Sequence, residues 1–106
     1  QFIVVFFCAD APPVADAGTD VTIRLPENFV TIDGTRSTDD QGIVAYQWMQ
    51  TYGDDGARLV EDASAKSRVG IRKAGEYVYR LTVFDKLGQS DDDDVRVTVL
   101  GKSINA

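Results

Sequence analysis

Residues 33–48 carry the feature that most constrains the fold, because a polar turn there runs directly into an alternating segment. The turn is rich in Ser and Asp, and beyond Gly42 the apolar residues Val44, Tyr46 and Trp48 occupy every second position. A period of two places such residues on one face of a strand. Trp48 is the only tryptophan of the chain. The pattern predicts a β-sandwich strand that buries Trp48 in the core.

The same period of two recurs between turn residues along the chain and predicts about seven strands. No segment of helix length carries a 3.6-residue period, and only residues 61–66 are predicted to form a single helical turn. The predicted class is therefore all-β, an immunoglobulin-like sandwich of two antiparallel sheets about 10 Å apart. The apolar residues that mark the strands are Val21, Ile23 and Leu25; Val30 and Ile32; Val44, Tyr46 and Trp48; Leu59 and Val60; Val69 and Ile71; Tyr77, Tyr79, Leu81 and Val83; and Val95, Val97 and Val99.

The predicted core centres on aromatic residues of two facing strands. Tyr77 lies two residues after Gly75, at the start of the longest strand, where immunoglobulin-like domains place a tyrosine corner. Tyr79 takes the position of the second disulfide cysteine of such domains, and Ile32 faces it, so apolar packing replaces the disulfide. An aromatic platform for sugars or bases would use the same rings, but strand alternation buries them. The predicted core residues are Trp48, Tyr77, Tyr79, Ile32 and Leu81.

Composition excludes several classes of function. The 106 residues include no His and a single Cys, which removes Ser-His-Asp and Cys-His catalysis and any intrachain disulfide. The net charge of -6 argues against nucleic acid and anionic membrane as partners, because both attract clustered Lys and Arg. The sequence therefore predicts one non-enzymatic domain that binds neither nucleic acid nor a membrane surface.

Three segments together resemble the polycystic-kidney-disease (PKD) domain. Pro12 to Gly18 is similar to its opening, Val30 to Asp40 to its second strand and loop, and Gly75 to Gly88 to its closing hairpin, so the resemblance covers residues 12–99. Many bacterial members on secreted hydrolases carry Trp-Asp-Phe-Gly-Asp-Gly after the third strand, whereas residues 48–53 read Trp-Met-Gln-Thr-Tyr-Gly. The chain is most similar to the tandem repeats of the dyslexia-associated transmembrane protein and adeno-associated-virus receptor family.

The resemblance implies a non-catalytic module of an extracellular protein or membrane ectodomain, used for adhesion, partner binding or spacing. The expected division is an apolar N-terminal strand or linker at 1–11, the domain at 12–100 and a C-terminal tail at 101–106. Residues 2–8 are too short an apolar run to cross a bilayer. Three interpretations of this run stay open: a signal-peptide core, the last strand of a preceding repeat, or a strand donated to a neighbouring copy through Phe2, Val4 and Phe6.

The aspartates suggest a calcium site at one pole of the sandwich. In an antiparallel sandwich the chain start, the loop after the second strand and the loop before the last strand lie at the same pole. This topology is expected to bring together Asp10, Asp39, Asp40 and Asp85, with residues 91–94 nearby. Some PKD domains of secreted collagenases, which the chain resembles, hold calcium at this pole. Calcium requires several hard oxygen ligands, which these side chains supply. The competing interpretation is that these Asp side chains accept hydrogen bonds from backbone amides of their loops and protect strand edges from aggregation. Asp54 and Asp55 are assigned to the opposite pole.

Three functional hypotheses follow from these observations. The first is a module that binds a protein partner or spaces repeats within a larger ectodomain. The second is a structural subunit of an extracellular filament that exchanges its N-terminal strand. The third is an accessory module of a secreted hydrolase, which needs an exposed aromatic row built from Phe29, Tyr52 and Phe84.

Overall fold

Seven strands account for the regular structure of the computed structural model, which describes residues 12–53 and 57–101. The strands are β1 Val21–Arg24, β2 Phe29–Asp33, β3 Ala45–Tyr52, β4 Arg58–Val60, β5 Lys66–Gly70, β6 Gly75–Phe84 and β7 Ser90–Leu100. One sheet has the strand order β1-β7-β6-β3 and the other the order β2-β5-β4. The described residues contain no helix, so the prediction of an all-β sandwich is confirmed.

Alternating side chains of both sheets form one core. In β6 every second residue from Tyr77 to Val83 is buried, and in β7 the buried residues are Val95, Val97 and Val99. Trp48 is 1% exposed and lies opposite Leu81 in the β3–β6 register. The five residues predicted for the core, Trp48, Tyr77, Tyr79, Ile32 and Leu81, are all buried in this cluster.

The polar atoms of the buried aromatic residues have hydrogen-bond partners. The Tyr77 hydroxyl donates to the carbonyl of Lys73 at 2.7 Å, four residues upstream, as the hydroxyl of a tyrosine corner does. Trp48 Nε1 donates to the carbonyl of Ser64 at 3.0 Å. The Tyr79 hydroxyl contacts Gln50 Oε1 at 3.2 Å, and burial raises the pKa of this phenol. These bonds offset the cost of removing polar atoms from water.

Two local predictions are wrong. Val44 was expected in the core row with Tyr46 and Trp48, but its side chain is 61% exposed and β3 begins only at Ala45. The alternation fails there because the preceding turn, with Gly42 at φ +96, directs Ile43 toward the core instead. Residues 61–66 form no helical turn, because Glu61 at φ 64 begins a tight turn closed by the Ser64 amide and β5 starts at Lys66.

The first and last strands depart from the purely antiparallel arrangement that the sequence predicted. β1 pairs with β7 in parallel, from Val21 opposite Val97 to Arg24 opposite Leu100. The turn after β1 carries the chain into the other sheet, so β1 never forms a hairpin and lies beside a strand that runs in its own direction. β7 is also longer than the Val95 to Val99 stretch predicted, because residues 91–94 pair with β6.

Candidate functional site

Several predicted site residues lie outside the described residues. These are Asp10 of the predicted calcium site, Asp54 and Asp55 of the opposite pole, and the predicted interface residues Phe2, Val4 and Phe6.

Asp39 and Asp85 of the predicted calcium site accept hydrogen bonds from residues of their own loops. Asp85 is 2% exposed, and its Oδ1 accepts the amides of Leu87 and Gln89, each at 2.9 Å. Its Oδ2 accepts Gln89 Nε2 at 2.9 Å. Asp39 Oδ2 accepts the amide of Gln41 at 2.8 Å, whereas its buried Oδ1 has no hydrogen-bond partner. These carboxylates build turns of the kind in which Asp bonds the backbone just ahead of it.

The residues that the structure describes do not by themselves assemble a metal site. Among them, no three Cys, Asp or Glu side chains form a group able to hold a metal ion, so Asp39, Asp40 and Asp85 do not make one together. Asp85 also has little capacity left, because three donors already bond its two oxygens. Calcium binding that includes Asp10 stays a prediction.

The calcium prediction has a direct thermal test. With an affinity of about 10⁻⁴ to 10⁻³ M, a tenfold excess of Ca²⁺ over the dissociation constant should stabilise the domain by about 1.4 kcal/mol. The measurement is thermal unfolding in excess Ca²⁺ and in chelator, with Mg²⁺ as the control because it demands stricter octahedral geometry. Superimposable curves would leave these aspartates only the loop-forming role seen in their hydrogen bonds.

A different pair of aspartates holds the segment that leads into the domain. Asp91 Oδ2 accepts the amide of Ala15 at 2.8 Å, and Asp93 Oδ2 accepts the amide of Ala17 at 2.8 Å. Both Ala15 and Ala17 are buried. The two carboxylates therefore act as acceptors for an extended chain that passes beside the start of β7. We call Asp91 and Asp93 the aspartate clamp.

The amides that the clamp does not bond have partners on the other side of the segment. Val14 exchanges two backbone hydrogen bonds with Thr38, at 2.8 and 3.0 Å. The Asp16 amide donates to Ser37 Oγ at 2.9 Å, and the Gly18 amide donates to Asp16 Oδ1 at 2.9 Å. Five consecutive amides, 14–18, are thus satisfied without a regular strand ladder. Such complete pairing fixes the path of the chain.

Sequence reasoning missed the clamp, although a signal for it exists. Asp91 and Asp93 have the same strand parity as Val95, Val97 and Val99, so the alternation that assigns the valines to the core also points these two carboxylates inward. Asp92 and Asp94 have the opposite parity and are exposed. An inward carboxylate requires a donor, which the amides of Ala15 and Ala17 supply.

The aromatic residues proposed for a sugar-binding row do not form one, and Phe84 is only partly exposed. Phe29 lies on β2, whereas Tyr52 and Phe84 lie on β3 and β6 of the other sheet. Tyr52 and Phe84 are also at opposite ends of the β3–β6 pair. A flat sugar-binding strip of these three side chains is therefore not formed.

The outer face of the three-stranded sheet carries a basic depression. Phe29, Gly70 and Arg58 lie in register across β2, β5 and β4. An open hollow of about 540 Å³ lies here, and its wall includes Arg72, Val60 and Ala57. The guanidinium of Arg68 stands 5.1 Å from the centre of the Phe29 ring. We call Phe29, Arg58, Arg68, Gly70 and Arg72 the arginine notch.

Comparison with known proteins identifies a consistent set of relatives. A family model described as the K319L-like PKD domain matches residues 17–99. The chain is 42% identical over 91 residues to human low-density lipoprotein receptor-related protein 11, covering 86% of this chain and 18% of the relative. It is 42% identical over 88 residues to mouse dyslexia-associated protein KIAA0319-like protein, covering 83% of this chain and 8% of that protein. The chain therefore spans less than a fifth of the length of these relatives.

Solved structures agree with the sequence relatives. The solution structure of the PKD domain from KIAA 1837 protein has a TM-score of 0.78 and 39% identity, over 84% of this chain and 87% of that one. The PKD domain of human KIAA0319 has a TM-score of 0.70 at 18% identity, over 86% of this chain and 83% of that one, and this likeness concerns the fold alone.

Proposed function

The chain belongs to the K319L-like PKD domain family, and on this premise we propose that it is a non-catalytic extracellular module that spaces neighbouring domains and contacts a protein partner. Family membership supports this role, because the related proteins are much longer than the chain and include one named as receptor-related. The chemistry agrees, since the absence of His and the single Cys remove the usual nucleophile and base pairs.

The observation that carries the spacing role is where the chain enters and leaves the domain. The incoming segment is bonded to Asp91 near the start of β7, and the chain leaves at Gly101, one residue beyond the end of β7. At a rise of about 3.3 Å per residue, these points are about 30 Å apart. The end of β1 is fastened at the exit, where the Leu25 amide donates to the carbonyl of Leu100 at 3.0 Å. Opposite poles of entrance and exit suit domains that follow one another in a line.

The other two hypotheses have less support. The filament hypothesis depends on Phe2, Val4 and Phe6, which lie outside the described residues. The hydrolase hypothesis needs an aromatic row, and Phe29, Tyr52 and Phe84 are divided between two sheets. An extracellular or cell-surface location is part of the proposal and rests on the family.

The spacing role predicts an elongated tandem protein. Two copies of residues 12–101 joined directly in series should give, by small-angle X-ray scattering, a maximum dimension close to twice that of one copy. The control is the same pair joined by a long Gly/Ser linker, whose flexibility averages the relative orientation of the domains. A compact, side-by-side particle from the direct fusion would contradict the spacing role.

A further inference from the structure

The arginine notch is a cluster of basic residues in a chain whose net charge is -6. The chain has 17 acidic and 11 basic residues, yet three arginines, Arg58, Arg68 and Arg72, gather on one end of the three-stranded sheet. No carboxylate of residues 12–53 or 57–101 forms an ion pair with any of them. Arg80, by contrast, is paired with Asp94 at 3.0 Å on the other sheet. The positive charges of the three notch arginines are therefore available to an anionic ligand.

The aromatic wall of the notch is held in place before any partner arrives. A Cβ atom on Gly70 would lie 3.4 Å from Phe29 Cε1, so the ring rests directly over the glycine backbone. Arg68 covers the ring at 5.1 Å from its centre, a cation–π distance. The Phe29 side chain is nevertheless 55% exposed. A fixed and exposed aromatic ring is the kind of group that dominates binding at protein interfaces.

The absence of a side chain at Gly70 makes room for the Phe29 ring, which a Cβ there would meet at 3.4 Å. Gly70 is in the central strand, between Phe29 and Arg58 in register, and all three residues line the hollow. Val60 and Ala57 add apolar surface to the wall, and Arg72 lines the same hollow as Arg58. The notch thus places two arginine side chains in the lining of a hollow that also has apolar walls.

We propose that the arginine notch binds a polypeptide segment in which acidic residues adjoin a large apolar residue. Guanidinium groups match carboxylates bidentately, and the pocket beside Phe29 accepts an aliphatic or aromatic side chain. A sulfated glycan offers anions but no apolar side chain, and it would leave Phe29 unused. The net charge of -6 opposes long-range attraction of an acidic partner, so binding rests on short contacts in the notch.

This inference rests on the partner-binding part of the proposed function and is independent of the spacing part, which the tandem scattering experiment tests without the notch. The probe is a capped peptide of alternating Asp and Leu, titrated into the whole chain by calorimetry. Two matched peptides, Asn/Leu and Asp/Ser, remove the charge and the apolar side chains in turn. A heparin hexasaccharide represents sulfated glycans.

We expect saturable binding of the Asp/Leu peptide alone. Arg58→Gln/Arg72→Gln should weaken it at least about tenfold, because hydrogen bonds to charged groups are lost. Phe29→Ser should also weaken it, whereas the charge-matched control Lys86→Gln/Arg96→Gln should not. Melting curves verify that each variant folds, and amide shifts of the unaltered chain at residues 28–29, 57–60 and 68–72 locate the peptide without any substitution.

Three results would overturn the proposal. The first is absence of saturable peptide binding. The second is equal binding of the Asp/Ser peptide, which would remove the role of the pocket. The third is tighter binding of the hexasaccharide that Phe29→Ser leaves unchanged, which would make the notch a glycan surface.

Discussion

Trp48→Ala should lower the free energy of unfolding by about 3 to 5 kcal/mol, a large part of the ~5 to 15 kcal/mol that stabilises a domain of this size. Trp48 is 1% exposed, and its ring fills the space beside Gly34, where a Cβ would lie only 3.3 Å from Trp48 Cζ2. Alanine leaves a cavity between the sheets and removes the donor to the carbonyl of Ser64. Both losses act on the folded state.

Chemical denaturation and thermal unfolding measure this effect. A loss of this size should lower the melting temperature by more than about 10 °C. Met49→Ala is the matched control, since Met49 is the next residue of β3 and is 57% exposed on the outer face. Trp48→Phe should fall between them, because it keeps most of the volume and loses the indole donor. Near-unchanged melting of Trp48→Ala with loss of partner binding would make Trp48 a ligand contact instead of a core residue.

The fold is predictable from sequence where alternation is strong. Tyr77, Tyr79, Leu81 and Val83 alternate without interruption over a long strand, and one face of such a strand must be buried. The prediction fails at Val44 because a turn residue with positive φ, Gly42, resets the direction of the side chains. Alternation says nothing about where a turn ends, so the first residue of a strand is its least predictable one.

Features that depend on which strands are neighbours are not readable from local patterns. The parallel β1–β7 pair arises because the chain changes sheet after Leu25. The arginine notch likewise joins Phe29, Arg58 and Gly70 from three strands, and only the order β2-β5-β4 brings them together. Hydrophobic period predicts the face of each strand, but it does not predict the order of strands in a sheet.

The acidic residues show a related limit. Sequence predicts that Asp39 and Asp85 lie in loops, but the use of each carboxylate oxygen depends on the surrounding backbone. In Asp85 the oxygens bond Leu87 and Gln89 within the same turn. The hydroxyl and the amide of Thr35 both donate to Oδ1 of Asp33, and these hydrogen bonds lower the pKa of the Asp33 carboxyl. Local backbone donors therefore compete with any ligand for the aspartates of this domain.

The second large loss of stability is expected on substitution of the aspartate clamp. Asp91→Ala/Asp93→Ala should lower the free energy of unfolding by about 2 to 5 kcal/mol, because the amides of Ala15 and Ala17 lose their acceptors in a buried place. The control is Asp92→Ala/Asp94→Ala, which removes the same two charges from the exposed face of the same strand. Among the described residues, this control removes the surface ion pair of Asp94 with Arg80 and the attraction of Asp92 for Arg80. Both side chains of the pair are 45% exposed, so solvent screening makes the expected loss of stability small.

Comparison of the two double variants separates hydrogen bonding from charge. If residues 91–94 affect stability only through repulsion between their negative charges, both double variants should change the free energy of unfolding equally, and the clamp has no special role. If the clamp holds the incoming chain, Asp91→Ala/Asp93→Ala should also speed hydrogen exchange at Ala15 and Ala17 while exchange at Val97 follows global stability. Asp91→Asn/Asp93→Asn keeps an acceptor oxygen at each position and should retain part of the stability. These hydrogen bonds fix the segment that leads into the domain. Their loss should therefore make the connection between the two copies of the tandem protein flexible, which should reduce the average dimension of that protein in small-angle X-ray scattering.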